Sequence, residues 1–348
     1  MISSALGIFF HALGGFASGS FYLPLKKITQ WSWESGWLVN GFFAWIIMPW
    51  FVAVLTIPDL LEILIQAEVN TIFWTYFFGI LWGIGGLTFG LTMRYLGIGL
   101  GMAMALGLTA AFGTLIPPIY DGSFIDITQS TNGQIVLFGV LVSFIGIFLC
   151  GKAGVLKEQH LSEDQKKEGI KEFDLKKGLI VAFFAGIMSS CFAFGIQAGA
   201  PLAASASIAG TNELWVNGPI FIVILLGGAT TNFAWSILLN IKKKSWKDYK
   251  DTSSPLKMNY LFAALAGITW YLQFMFYGMG TTQMGEHDFA SWSIHMAFII
   301  AFSSMWGLIT GEWKGVKRKV LVVLGLGIFI LILSTLIIGM AEQIATSV

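Results

Sequence analysis

The sequence predicts an all-α integral membrane protein whose ten transmembrane helices form two inverted five-helix repeats. Three observations predict it: the scarcity of charge, the spacing of uncharged windows, and the placement of basic residues between those windows. Of 348 residues, 56% are hydrophobic and 11% charged, where a soluble domain carries about a quarter charged residues. A water-soluble chain this apolar would need a core larger than single domains build. The 30 Phe and 14 Trp exclude disorder, and two Cys exclude a disulfide scaffold. A net charge of +1 leaves no footprint for nucleic acid.

Ten windows contain no Asp, Glu, Lys or Arg: 5–23, 37–57, 72–93, 97–119, 134–151, 178–199, 215–239, 259–278, 289–311 and 320–340. Each is 18 to 25 residues long, enough for a helix to cross hydrocarbon roughly 30 Å thick. They lack the alternation of a lipid-facing β-barrel. No basic residue precedes the first window, so it is read as a retained span rather than a signal peptide.

The connections fix the orientation. Lys26 and Lys27 lie between the first and second windows, and Arg94 between the third and fourth. Seven bases from Lys152 to Lys177, six from Lys242 to Lys257 and four from Lys314 to Lys319 complete the set of 20. The alternate connections hold none, only acids such as Asp59, Asp121, Glu213 and Asp288. Basic residues resist translocation, so the odd-to-even connections are expected in the cytoplasm and both termini on the outer, periplasmic side.

The longest polar stretch divides the chain into a first half (1–151), a charged cytoplasmic linker (152–177) and a second half (178–348). Five spans per half place the second half in the opposite sense, the arrangement that lets one central site face each side in turn. Weak echoes agree: Gly15, Ser18 and Phe21 match Gly186, Ser189 and Phe192 in spacing, and Val39-Asn40-Gly41 matches Val216-Asn217-Gly218. Small residues four apart, such as Gly79 with Gly83 and Gly86 with Gly90, suit close helix contacts.

Polar groups inside spans mark packing bonds or a binding site, since burying them without a partner is costly. Asn40, Gln197, Asn232 and Gln273 supply uncharged donors and acceptors suited to sugar hydroxyls. Trp82, Trp270 and Trp292 offer flat apolar faces to a pyranose ring, or pack the core. Proton-coupling candidates are Asp288, His295, His11 and Glu34. Asp288, Trp292 and His295 are spaced to share one helix face. Glu34 has the alternative of a helix-end charge paired with Lys26 or Lys27. No metal-ligand spacing and no nucleotide motif occurs, so the expectation is a carrier with no cofactor beyond the proton, not an enzyme.

Several strings carry a resemblance. FYLPLKKITQWSWESGW (Phe21 to Trp37), LTFGLTMRYLGIGLG (Leu87 to Gly101), GTLIPPI (Gly113 to Ile119), EFDLKKGL (Glu172 to Leu179), WYLQFMFYGMG (Trp270 to Gly280) and DFASWSIHM (Asp288 to Met296) resemble the L-rhamnose–proton symporter family of the drug/metabolite transporter superfamily. The similarity spans nearly the whole chain in order. It implies ten helices, residence in the bacterial inner membrane, and proton-coupled uptake of L-rhamnose or a relative such as L-lyxose. An exporter or carrier of another small metabolite on the same scaffold is the alternative. The matched polar positions are Lys26, Lys27, Trp31, Trp33, Glu34, Arg94, Gln273, Asp288, Trp292 and His295, of which Lys26, Lys27 and Arg94 form a cytoplasmic-face motif. The uncharged stretch AGAPLAASASIAG (198–210) departs from the family pattern.

Overall fold

The computed structural model describes residues 2–96, 98–159 and 174–341, and all regular structure among them is helical. The first half holds α1 (Ile2–Ser20), α2 (Trp33–Thr56), α3 (Val69–Leu96), α4 (Ile98–Asp121) and α5 (Thr131–Glu158). The second holds α6 (Leu175–Ala198), α7 (Gly218–Lys243), α8 (Leu256–Thr282), α9 (Ser291–Ile309) and α10 (Arg318–Gly339). Among the described residues, nine helices are long and apolar enough to cross a membrane, and α4 lies over the remaining uncharged window. Most of the charged linker (160–173) lies outside the described residues, as does the tail from 342 onward.

Local chemistry sets the helix ends. Ser130 Oγ accepts from the Gly133 N–H at 3.0 Å to cap α5, and Asp174 caps α6 through the Lys177 N–H at 3.0 Å. That bond holds the Asp174 carboxyl below its ordinary range. Helix α2 is interrupted by a π-helical turn at Phe42–Ile47. Pro49 has no N–H to return to the preceding turn, and the Met48 N–H reaches back five residues to the Phe43 carbonyl. Short helices at Tyr22–Leu25, Leu60–Gln66, Phe124–Gln129 and Ala200–Ile208 cover connections that the apolar windows do not mark.

Packing crosses between the halves. Helix α1 lies against α8 and α9, and α6 lies against α3 and α4. Helices α5 and α10 pair, and α7 lies against both α2 and α3. Glycines permit the closest approaches. A Cβ on Gly79 of α3 would sit 2.2 Å from the Ile224 carbonyl oxygen of α7, and one on Gly227 of α7 would sit 2.2 Å from the Tyr76 carbonyl oxygen of α3. Gly86 and Gly90, spaced identically, face open space.

Contacts at each end join connections of the same parity. At the basic end the Lys26 ammonium pairs with Glu312 at 2.5 Å, Lys243 pairs with Glu34 at 2.9 Å, and the Asp174 N–H donates to the Tyr95 carbonyl at 3.2 Å. The Lys157 ammonium lies 4.7 Å from the Trp313 ring centre. At the acidic end Gln197 donates to Asp121 at 3.0 Å, and Gln283 donates to Glu213.

Candidate functional site

Helix α8 supplies the spine of the interior. Trp270, Gln273, Phe274 and Tyr277 follow one another at three- and four-residue steps, which places them on one stripe. Toward the basic end, Trp270 meets Trp37 at 5.0 Å, Trp45 at 5.2 Å and Phe21 at 4.7 Å between ring centres. Farther along the stripe, Phe274 meets Trp82 at 5.5 Å and Phe192 at 5.2 Å. Tyr277 meets Trp292 at 5.6 Å, whose ring stacks on Phe192 at 5.6 Å. Five helices of both halves thereby converge on α8: α2, α3, α6 and α9, with α1 through Phe21 at its end.

Polar atoms punctuate this aromatic wall. The Trp37 Nε1–H donates to Asn232 Oδ1 at 3.2 Å, while Asn232 Nδ2 donates to the Gly228 carbonyl at 2.9 Å. The Trp292 Nε1–H donates to the Thr109 carbonyl at 3.0 Å. Asn40 is fully buried, and neither its amide nitrogen nor its oxygen has a partner. The Trp45 Nε1–H, both His11 ring nitrogens and His295 Nδ1 are likewise buried and unpartnered. Buried donors and acceptors in this state cost free energy that a hydroxylated ligand or water recovers. A cavity of about 380 Å³ opens at the basic end against Lys26, Trp31, Ser32, Trp33 and Trp37. Trp37 is at once a wall of this cavity and the neighbour of Trp270.

The candidates from the sequence divide into groups. Trp270, Gln273, Trp82, Trp292, Asn40, Asn232, His11 and His295 lie on or beside the α8 stripe. Gln197 does not: it is exposed at the acidic rim, bonded to Asp121. Asp288 is exposed in the 3₁₀ turn Gly285–Ala290 that leads into α9, four residues ahead of Trp292. Glu34 is fully buried at the start of α2, where its carboxylate accepts from Ser245 at 2.7 Å and pairs with Lys243 rather than with Lys26 or Lys27. Lys26 and Lys27 are exposed at the basic end, Lys27 lying 5.4 Å from the Phe262 ring centre. The side chain of Arg94 lies outside the described residues.

Trp37, Trp45, Phe192 and Phe274 line this interior without being sequence candidates, and so does Tyr277. Its signal was available, since it stands seven residues after Trp270, two turns along the same face.

A chain with this many apolar helices is a multi-pass membrane protein, and its family makes it a transporter, not an enzyme. It belongs to the L-rhamnose-proton symport protein family, whose model matches residues 2–344. The L-rhamnose-proton symporters of Salmonella gallinarum and Citrobacter koseri are each 38% identical to it over 341 residues, covering 96% of this chain and 97% of theirs.

Proposed function

We propose that the protein takes up L-rhamnose, or a close relative such as L-lyxose, together with protons across the bacterial inner membrane. The observation that carries this reading is family membership over nearly the full length of both chains. The mechanism is alternating access by two inverted five-helix halves, 1–151 and 178–348, with 152–177 as a cytoplasmic linker and both termini outside. Two features support it. Shifting each helix number by five turns the α1 contacts with α8 and α9 into the α6 contacts with α3 and α4. Connections of one parity also meet only each other in the ion pairs and hydrogen bonds described above, and those of one end carry every Lys and Arg.

The sugar binds beside the α8 stripe, where Trp270 and Trp292 take its apolar faces and Asn40 and Gln273 its hydroxyls. The proton is the only coupling agent, with no bound cofactor. One proton crossing about 150 mV supplies about 3.5 kcal/mol, enough for accumulation of about a few hundred-fold.

The test is sugar-induced pH change in vesicles containing the full chain, across L-rhamnose, L-lyxose, L-fucose and glucose. L-rhamnose should give the largest alkalinisation of the medium. Uptake of another sugar with no response to L-rhamnose, or uptake without proton movement, overturns the reading.

A further inference from the structure

His11 of α1 and His295 of α9 stand with their ring centres 5.9 Å apart, edge to face. Both are buried, at 0% and 3% exposure. Nδ1 of His295 has no partner. Neither nitrogen of His11 has one. A histidine that served only as core would have its N–H and its lone pair matched, because leaving both unmatched costs free energy without return.

The rings are seated in slots made by glycine. A Cβ on Gly14 would come 2.7 Å from His295 Cε1, and one on Gly280 of α8 would come 2.6 Å from His11 Cε1. The pair therefore sits directly on the backbones of α1 and α8, at the junction of α1, α8 and α9. The titratable groups facing it are Tyr277 of α8, 5.5 Å from His11 and 5.2 Å from His295, and, beyond Tyr277, Asp288 ahead of α9. Tyr277 in turn touches Trp292 of the aromatic wall. The pair is thus one residue removed from the sugar candidates.

We propose that His11 and His295 form a single proton-carrying site, a two-imidazole pair that bridges the two halves and takes up one proton with each sugar. This rests on the symport reading above. The proton arrives from outer water onto one of the free ring nitrogens. A second proton is refused, because two imidazolium ions at this spacing in a buried site repel. When α1 parts from α8 and α9, the ring environment changes and the proton leaves to inner water, so sugar and proton bias the same helix junction.

The experiment uses the full chain in proteoliposomes and compares His11→Gln and His295→Gln with the unaltered protein. Counterflow exchange of L-rhamnose, which needs no net proton movement, should stay within about threefold, while uphill accumulation driven by a pH gradient should fall more than about tenfold. Uphill accumulation at the unaltered level in both variants, or equal loss of counterflow and accumulation, overturns the proposal. A second measurement needs no variant. The chain has four histidines, so nitrogen-15 spectra of labelled protein resolve each ring, and L-rhamnose should shift the titration of two of them together. Independent titration of all four, unmoved by sugar, also overturns it. If the unaltered protein moves no L-rhamnose at all, the symport reading fails, while titration without sugar still shows whether the two rings take up one proton between them.

Discussion

Replacing Gly79 by Ala tests the packing on which the transport mechanism depends. The added Cβ would lie 2.2 Å from the Ile224 oxygen and 3.0 Å from the Ile224 carbonyl carbon, both backbone atoms of α7. Backbone cannot swing aside as a flexible side chain can, so α3 must retreat from α7 by about 1 Å to restore an ordinary contact. A gap of that size forfeits about a quarter to a half of each dispersion contact along the seam. Together with the usual penalty of overpacking, the expected loss is about 2–3 kcal/mol. Gly86 is the internal control, two turns farther along the same helix with nothing near its missing Cβ. Gly86→Ala should raise stability by about 0.5–1 kcal/mol, because alanine favours helix. Unfolding of the two purified variants in detergent by titration with a denaturing surfactant gives both numbers. Shifts of the same sign, or Gly79→Ala matching the unaltered protein, would refute the close α3–α7 approach.

The remaining predictions concern the site and its ends. Trp270→Ala and Trp292→Ala should each weaken L-rhamnose binding by about 1 kcal/mol or more, roughly fivefold in Kd by calorimetry; unchanged affinity in both would return these rings to packing. Asn40→Ala should lower sugar affinity while thermal stability holds or rises, because the amide it removes is buried and makes no hydrogen bond to the protein; a large stability loss would show the amide to be structural. Asp288→Asn should retain uphill accumulation of L-rhamnose, since Asp288 is exposed outside α9; loss of accumulation with exchange intact would move the proton from the histidine pair to Asp288. The hydrogen bond from Lys26, with its charge, holds the Glu312 carboxyl below its usual 4.5. The stability this pair contributes is present above that value and lost as pH falls through the lowered one. Unfolding curves of the unaltered protein and Glu312→Gln should therefore differ slightly at pH 7, begin to converge near about 4.5 and coincide below the lowered value; a difference that persists in acid would refute the linkage.

Much of the fold was legible because a bilayer punishes charge so strongly. Each of the ten long helices covers most of one window free of Asp, Glu, Lys and Arg, with charge confined to its ends, and lipid imposes that rule one residue at a time without reference to partners. What escaped the sequence is what depends on distant partners. Glu34 lies eight residues from Lys26, yet its cation is Lys243, 209 residues away; nothing local ranks one lysine above another. Asp288 has helical spacing to Trp292 and His295, but it stands in a 3₁₀ turn ahead of the helix that carries them. Gly79 and Gly86 are equivalent in sequence and opposite in surroundings, since only the first is opposed by another helix. Tyr277 lies within the helical period of Trp270, but a lone phenol on an apolar helix carries no local sign of its partners.

The wide turn in α2 aligns two tryptophans. In an uninterrupted α-helix, at about 100° per residue, Trp37 and Trp45 would point about 80° apart. The underwound stretch from Phe42 to Ile47 makes the later ring lag, so both indoles arrive at Trp270. Proline at 49 thus acts as a vernier, setting the azimuth of one half of the rod against the other. Converting that stretch to ordinary winding would preserve the rod's span across the bilayer while turning Trp45 away from its neighbours.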